Sequence, residues 1–264
     1  MEFTFPMKFN VEVELPNGQT VVQSHDGRVS QKPKPSYSGD WLTTYHKNMD
    51  FMHERAFSSA YNKGINSGHN IMGGGDLHIE WRVHTCIWAA QHAAKLDGDF
   101  VECGVNTGIL SLAVMEYLNF NALDKKFFLF DTYKGIPTDQ ISKEELSLDR
   151  EKDNSYYFDC LDLVKRNFAP YKNAVIVPGK VPDTLNEVAI DKVSYLSIDM
   201  NIVEPEIAAG EHFWNKIVPG GIIILDDYGW EAYRLQKEAW DRFAKARGVS
   251  ILTMPTGQGI IIKP

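Results

Sequence analysis

Acidic and glycine residues stand where short apolar runs of this chain end, and their spacing could build a ligand site. The segment Phe100–Gly108 reads FVECGVNTG, in which an apolar run ends in Glu102 and the glycines Gly104 and Gly108 bracket three residues. A helical apolar pattern follows from Ile109. This order predicts a strand, a tight turn and a helix, the opening unit of an open α/β sheet whose ligands bind at the carboxyl ends of the strands.

The glycine spacing separates two classes of ligand. A dinucleotide-binding turn reads G-x-G-x-x-G and holds a pyrophosphate on the helix N-terminus, whereas this chain has G-x-x-x-G directly after Glu102. A carboxylate there repels a pyrophosphate but suits a cationic, hydroxyl-rich ligand such as S-adenosylmethionine. Asp131 ends the next predicted strand, where it could accept hydrogen bonds from both ribose hydroxyls, or simply begin a loop.

Three more acids end predicted strands, namely Asp199 and the pair Asp226 and Asp227. Neighbouring strands lie about 4.8 Å apart, so these carboxylates are expected to converge at the mouth of the sheet. Their mutual repulsion would raise their pKa values, and a hard cation would relieve it. Mg²⁺ is the usual ion for a few carboxylates with water and substrate oxygens. The alternative is that one acid caps a helix while another forms a salt bridge.

The elements that position these acids follow from an alternation of strands and helices after residue 99. The predicted strands are nearly continuous apolar runs, which is typical of parallel strands covered on both faces; they are 99–104, 126–131, 174–178, 193–199 and 221–226. Residues 250–262 read as two strands joined by a tight turn. The predicted fold class is α/β, a mostly parallel Rossmann-like sheet with an antiparallel C-terminal hairpin.

The N-terminal part follows a different pattern. Residues 7–23 alternate apolar and polar around Asn17-Gly18, a strong hairpin signal, and 41–61 is expected to be helical. Asp76 is the predicted N-cap of the helix that follows. We predict an N-terminal extension over 1–70, a β-hairpin with a helical cap or lid, and a separate α/β domain over 71–264.

Composition narrows the classes of partner. The chain has 264 residues and a formal net charge of −8, which argues against nucleic acid, whose binding relies on Lys and Arg. No apolar run reaches the roughly 18 residues of a membrane helix, and the first ten residues lack the pattern of a signal peptide. The three cysteines suggest neither a disulfide framework nor a metal cluster. We therefore expect a cytoplasmic protein with a small-molecule partner, and the formation of a homo-oligomer is a possibility that the sequence leaves open.

Five blocks of the sequence stand together in a recognisable order. They are Phe100–Gly108, FLFDTYKGIP at 128–137, VKRNF at 164–168, VPGKVPDTL at 177–185 and PGGIIILDDYG at 219–229. In this order the chain, over about residues 70–264, resembles the macrocin O-methyltransferase family of class I methyltransferases. Members of that family methylate hydroxyls on sugars and other small natural products, using S-adenosylmethionine and Mg²⁺.

The resemblance implies roles for residues at matching positions. The cofactor pocket would comprise Met72, Glu102, Gly104, Asn106, Thr107, Gly108, Asp131 and Gly179, with Ile71 beside Met72 and with Asp131 on the ribose. Asp199, Asp226 and Asp227 fall on the metal ligands of the family, and Asp199 is also the expected proton acceptor.

The chain departs from the family pattern after the fourth predicted strand. The family usually reads Asp-Gly-Asp-x-Tyr-Glu there, whereas this chain reads DMNIVE at 199–204. Met200 replaces a glycine, Asn201 an acid and Val203 an aromatic residue. Asp199 is retained, so metal binding is still expected, but the substrates of the family do not carry over.

The predicted function is an S-adenosylmethionine- and Mg²⁺-dependent O-methyltransferase acting on a hydroxyl of a small, sugar-like or natural-product-like molecule. Its alternatives are a nicotinamide-dependent oxidoreductase on a Rossmann sheet and an S-adenosylmethionine-binding protein without catalysis. Any of His69, His78 and His84 could serve as a general base near the cofactor entrance, whereas His212 is expected to be a packed or surface side chain.

Overall fold

A computed structural model describes residues 11–15, 20–23, 29–31 and 34–264. The described chain forms two compact units, one up to Ser38 together with Thr43–Met49, the other Gly39–Leu42 together with Asp50–Pro264. Within this described part, each helix is too short or too polar to span a bilayer. All three cysteines are free and buried. The domain boundary at residue 70 stays a prediction.

The first unit contains a three-stranded antiparallel sheet of β1 (Val11–Glu14), β2 (Thr20–Gln23) and β3 (Val29–Gln31), in that order. The pairing of β1 with β2 confirms the predicted hairpin strands, while the predicted turn at Asn17-Gly18 lies outside the described residues. β3 was not expected, because 30–38 reads as a connector rich in Pro, Ser and Lys. Two short strands follow, β4 (Tyr37–Gly39) and β5 (Leu42–Thr44), and pair with each other.

The second unit is built on a seven-stranded sheet. Its strands are β6 (Asp99–Cys103), β7 (Phe127–Asp131), β8 (Ala174–Pro178), β9 (Val193–Ile198), β10 (Ile217–Leu225), β11 (Leu252–Thr253) and β12 (Gly259–Ile262). Across the sheet the order is β11-β12-β10-β9-β6-β7-β8. The five strands β6 to β10 pair in parallel, and β12 pairs antiparallel with both β10 and β11. The predicted α/β sheet with an antiparallel C-terminal hairpin is confirmed.

Seven α-helices accompany these strands in the described chain. They are α1 (Arg55–Ile65), α2 (Glu80–Ala93), α3 (Ile109–Tyr117), α4 (Lys143–Leu146), α5 (Leu161–Phe168), α6 (Val203–Trp214) and α7 (Arg234–Arg247). Short 3₁₀ helices cover Asp50–His53, Ile71–Gly73, Phe120–Ala122, Thr138–Gln140, Arg150–Tyr156, Asp183–Asn186 and Glu231–Tyr233.

Two predictions for the segment before the sheet are wrong. The predicted helix over 41–61 begins only at Arg55, because 42–44 form β5 and 50–53 form a 3₁₀ helix. Trp41 and His46 also adopt positive φ angles of 56° and 55°, a conformation that an α-helix does not contain. Asp76 does not cap α2, whose N-cap is Ile79 without a side-chain bond. Its carboxylate instead accepts hydrogen bonds from the His78 backbone amide at 2.9 Å and from the Tyr61 hydroxyl.

The core occupies both faces of the sheet because successive side chains of each strand point to opposite sides. On β6, Phe100 packs in a cluster that includes buried residues of α1, α2 and α3, whereas Val101 packs in a cluster that includes α6 and α7. Ile222 and Ile223 on β10 divide in the same way. Apolar side chains on both faces explain why the central strands read as continuous apolar runs.

The carboxyl ends of four parallel strands meet at one edge of this sheet. The amide of Gly104 donates to the Phe130 carbonyl at 2.8 Å, and the amide of Asp199 donates to the Cys103 carbonyl at 2.8 Å. The amide of Asp226 donates in turn to the Ile198 carbonyl at 3.0 Å. These bonds continue the strand ladder past the strand ends, so the acids that follow the strands are held side by side.

Candidate active site

A cavity of about 590 Å³ opens at this carboxyl edge. Loops after β6, β7, β9 and β10 line it, together with residues of the turn at Asp40 and of the segment before α2. Its volume lies in the range of small-molecule sites, and its position is the one at which open α/β sheets bind ligands. Trp41, Met72 and Tyr156 line its mouth and remain 88%, 71% and 42% exposed.

The glycine turn is held in shape by the carboxylate of Asp131. Its Oδ2 accepts hydrogen bonds from the backbone amides of Val105 at 2.6 Å and Asn106 at 2.7 Å, and its Oδ1 accepts from the Tyr133 amide at 2.6 Å. Gly104 and Asn106 adopt positive φ angles of 91° and 49° in this turn. Asp131 lines the cavity as predicted, but its oxygens are already engaged, so its role on the ribose stays a prediction.

Glu102 presents an unpartnered carboxylate oxygen to the same cavity. The side chain is buried, and its Oε2 has no hydrogen-bond partner in the described structure. Burial raises its pKa to about 8; the Ser111 hydroxyl acts against this shift, and the nearby charges of Asp226 and Asp131 add to it. The amide Nδ2 of Asn106, also lining the cavity, is buried without a partner as well. An acceptor and a donor left unsatisfied here fit a polar, hydroxyl-bearing ligand.

The predicted cofactor residues divide into two groups. Those that line the cavity are Met72, Glu102, Gly104, Asn106, Asp131 and Gly179, with Ile71 beside them. Thr107 and Gly108 do not line it: the Thr107 hydroxyl is buried 2.7 Å from that of Ser67, and Gly108 faces the ring of Phe168. The roles of Thr107 and Gly108 toward the cofactor stay a prediction.

The predicted metal ligands also line the cavity, but a basic residue reaches two of them. Arg82 of α2 donates to Asp40 at 2.8 and 3.1 Å and to Asp226 at 2.5 Å, and it lies 3.7 Å from Asp227. Gln258, directly before β12, donates to the second oxygen of Asp226 at 3.0 Å. Sequence reasoning missed Arg82, because only the fold brings α2 to the end of β10.

Asp199 and Asp227 are less well compensated. Burial, with the charges of Asp226 and Asp227, raises the pKa of Asp199 well above its ordinary value. Burial and the charge of Asp226 raise the pKa of Asp227 to about 8. Asp199 has one weak partner, the amide of Asn201 at 3.4 Å. Both carboxylates are therefore poised to take up a proton or a cation.

Three carboxylates with one shared guanidinium fit a hard cation in chemistry and charge. Since Arg82 is paired with Asp40, negative charge on the acids at the ends of β9 and β10 is only partly offset. Among the described residues, Asp199, Asp226 and Asp227 do not form a group in which one oxygen of each lies within 4.8 Å of the other two. The set that meets this separation is Asp76, His78 and Glu80, of which the first two are exposed. The Mg²⁺ site stays a prediction.

Histidines do not line the cavity within the described chain. The Nε2 of His69 lies 3.0 Å from the Gly75 carbonyl, and His84 packs against the ring of Phe51 at 4.0 Å between ring centroids. The pKa of His84 is lowered by burial. His212 lies on α6 and approaches Lys216 at 2.9 Å, as a packed side chain would.

The loop after β9, where the chain departs from the family pattern, is tightly anchored. The buried carboxylate of Glu206 accepts from the amides of Met200 at 3.3 Å and Asn201 at 3.1 Å. Its two oxygens also accept from Gln236 and Trp240 of α7, at 3.1 and 2.9 Å. Sequence reasoning missed Glu206, because a single acid on a helix carries no signal of such a role.

Comparisons with solved structures place the fold among class I methyltransferases. The O-methyltransferase NovP has 20% sequence identity and a TM-score of 0.63, over 78% of this chain and 87% of that chain. A calicheamicin methyltransferase has 12% identity and a TM-score of 0.53, over 82% of this chain and 94% of that chain. At these identities the likeness shows the fold alone.

Sequence comparisons point to one family of enzymes. The chain is 27% identical to the 8-demethyl-8-(2,3-dimethoxy-alpha-L-rhamnosyl)-tetracenomycin-C 4'-O-methyltransferase of Streptomyces olivaceus, over 54% of this chain and 57% of the relative. It is 26% identical to the mycinamicin III 3''-O-methyltransferase of Micromonospora griseorubida, over 58% of this chain and 63% of the relative. The match thus spans less than two thirds of the length of these relatives.

The family model described as Macrocin-O-methyltransferase (TylF) matches residues 66–254, a range that contains the glycine turn and every predicted metal ligand. With this match over most of its length, the chain belongs to the macrocin O-methyltransferase (TylF) family.

Proposed function

We propose that this protein is an S-adenosylmethionine-dependent O-methyltransferase that methylates a hydroxyl of a small molecule. The observation that carries the proposal is the buried, unpartnered Oε2 of Glu102 in the cavity beside the glycine turn. A ribose hydroxyl would satisfy this oxygen, and the positive charge of a sulfonium suits a cavity edge with several acids. Membership of the O-methyltransferase family supports the same activity.

The acceptor that we propose is a hydroxylated, sugar-like or natural-product-like molecule with an apolar body. The names of the relatives describe O-methyl transfer to a rhamnosyl-tetracenomycin and to mycinamicin III. In this chain, Trp41, Met72 and Tyr156 are exposed at the mouth of the cavity, where an apolar part of an acceptor could cover them. The net charge of −8 disfavours a nucleic-acid acceptor.

The chain's residues would divide the chemistry as follows. Glu102 accepts a hydrogen bond from the ribose, and Asp131 fixes the turn that carries Gly104. Asp199 accepts the proton of the acceptor hydroxyl, because burial makes its ionised form a stronger base. S-adenosylmethionine, when bound, would supply the methyl group, and its C–S bond would be exchanged for a C–O bond to leave a thioether and a methyl ether.

Mg²⁺ belongs to the proposal as a cofactor, with Asp199, Asp226 and Asp227 as the residues that would hold it. When bound, it would act as a Lewis acid that lowers the pKa of the acceptor hydroxyl. Arg82 would then neutralise the remaining charge of Asp226 through the bond at 2.5 Å.

The proposed function is tested by calorimetric titration with S-adenosylmethionine and with NAD⁺, followed by methyl transfer to a panel of glycosides and phenols. We expect micromolar binding of S-adenosylmethionine, no binding of NAD⁺, and turnover of at least one acceptor. Binding of NAD⁺ alone would favour an oxidoreductase. Binding of S-adenosylmethionine without turnover of any acceptor would favour a binding protein without catalysis.

A further inference from the structure

One amide joins two tyrosines and an acid at the cavity wall. The Tyr233 hydroxyl donates to Oδ1 of Asn201 at 2.8 Å, and Nδ2 of Asn201 donates to the Tyr157 oxygen at 3.3 Å and to Oδ1 of Asp199 at 3.4 Å. All four residues line the cavity. They come from three separate segments, the loop after β9 and the two 3₁₀ regions that precede α5 and α7.

The direction of these bonds follows from the chemistry of the partners. When Asp199 is ionised, as its proposed role as proton acceptor requires, its oxygens only accept hydrogen bonds, so the side of the Asn201 amide that faces it is the NH₂ group. Its carbonyl oxygen then faces Tyr233, whose proton it accepts. The Tyr157 oxygen is an acceptor from Asn201, which leaves the Tyr157 hydroxyl proton available. In the described part of the chain, no atom accepts that proton.

Surrounding residues fix the backbone of Asn201 and the ring of Tyr233, the residue that donates to its side-chain oxygen. The backbone amide of Asn201 donates to Glu206, which α7 anchors. Asn201 is buried and has a φ angle of 65°, a left-handed conformation that asparagine tolerates. The guanidinium of Arg150 stacks on the Tyr233 ring at 3.9 Å and restrains that side chain. The Tyr157 hydroxyl is therefore presented to the cavity in one polarity.

We propose that Tyr157 is a specificity-determining residue that donates a hydrogen bond to a second oxygen of the acceptor, next to the hydroxyl that is methylated. The inference rests on the proposed function. Tyr157 and Asp199 lie within hydrogen-bond distance of the same Asn201 nitrogen, so one ring with two neighbouring oxygens can engage both. The preferred acceptors are vicinally oxygenated molecules. Asn201 is the positioning residue that sets the polarity of Tyr157.

The test compares vicinal diols with analogues that lack one of the two oxygens. The probes are catechol beside phenol, and methyl α-L-rhamnoside beside each of its monodeoxy analogues, with methyl transfer from S-adenosylmethionine as the readout. We expect the wild-type enzyme to prefer the diol. Tyr157→Phe should raise the KM for the diol about tenfold, as for the loss of one oriented hydrogen bond, and leave the KM for the analogue unchanged.

Two further variants separate polarity from structure. Asn201→Asp places a carboxylate oxygen toward each tyrosine. The Tyr157 hydroxyl then donates its hydrogen bond to this carboxylate and not to the acceptor, so the variant should abolish the preference for the diol as Tyr157→Phe does. The matched control is Tyr171→Phe. The Tyr171 hydroxyl donates to Glu116 of α3 at 2.9 Å, and neither residue lines the cavity. It should leave the preference at the wild-type value.

The outcomes distinguish this inference from the function on which it rests. Failure of the wild-type protein to bind S-adenosylmethionine would overturn the proposed function itself. Binding without turnover of any diol in the panel would overturn the vicinal acceptor class. An equal effect of Tyr157→Phe on the diol and its analogue, or an effect on kcat alone, would overturn the specificity role.

Discussion

At the scale of single residues, the charge balance of the cavity decides what it can bind. Acids at four strand ends were expected from the sequence, and the structure brings Glu102, Asp131, Asp199 and Asp226 to one cavity. Their partners could not be predicted. Arg82 lies 144 residues before Asp226, and no local spacing in the sequence connects the two. A pattern reveals what a strand end carries, whereas a neutralising side chain from another element depends on packing.

A first prediction concerns the stability of the protein without ligand. Because the pKa of Glu102 is raised from 4.5 to about 8 in the folded state, folding favours its protonated form. The stability of the folded protein is therefore unaffected by the ionisation of Glu102 below pH 4.5 and decreases as the pH rises toward about 8, because the buried side chain resists ionisation. At pH 8, the free energy of unfolding of Glu102→Gln should therefore exceed that of the wild type by about a few kcal/mol, and the variant should unfold at a higher temperature. At low pH the two proteins should differ little.

Thermal unfolding followed by circular dichroism across this pH range measures the effect. Glu144→Gln, at an exposed position of α4, is the matched control and should follow the wild-type curve. A constant difference between Glu102→Gln and the wild type at every pH would contradict the raised pKa.

A second prediction concerns the metal. If Asp199, Asp226 and Asp227 hold one divalent ion, EDTA should abolish methyl transfer and added Mg²⁺ should restore it. Calorimetry with Mg²⁺ alone should show that Asp199→Asn weakens metal binding much more than binding of S-adenosylmethionine, because it removes one of few carboxylate ligands. Full activity in excess chelator would show that the reaction needs no metal, and Asp199 would then act as a general base assisted by Arg82.

At the scale of elements, the strands could be read from the sequence while the helix starts could not. Continuous apolar runs predicted β6 to β10 within a few residues, because both faces of these strands are covered. The start of α2 was placed wrongly at Asp76, whose carboxylate is used by Tyr61 and by a local turn. Capping patterns compete with tertiary hydrogen bonds, and here the tertiary partner prevails.

The turn after β6 provides a third prediction. Asp131→Ala removes the acceptor of three backbone hydrogen bonds, so the turn should loosen and the affinity for S-adenosylmethionine should fall at least tenfold. Hydrogen exchange at the amides of Val105 and Asn106 should rise in the same variant. Asp159→Ala, at an exposed position before α5, serves as the control. Unchanged exchange and affinity would show that the glycine turn does not depend on this carboxylate.

At the scale of the whole molecule, the predicted sheet and the family are both confirmed, and the substrate is what the sequence leaves open. Four of the five blocks that resemble the family contain residues of β6, β7, β8 and β10 with the turns that follow these strands, and the block at 164–168 lies on α5. The side of the cavity that we propose for the acceptor contains Trp41, Tyr157, Asn201 and Tyr233, which lie on loops and on a short 3₁₀ helix that follow no periodic pattern. Only folding brings such residues together, so their joint role could not be predicted.

The most direct test of the central claim is the affinity of the protein for S-adenosylmethionine, measured by calorimetry in the wild type, in Glu102→Ala and in Glu144→Ala. The account predicts micromolar binding by the wild type and by the exposed control, and at least tenfold weaker binding by Glu102→Ala. Equal affinity in all three proteins would show that the cofactor does not lie against Glu102. No binding in the wild type would contradict the proposed methyltransferase function.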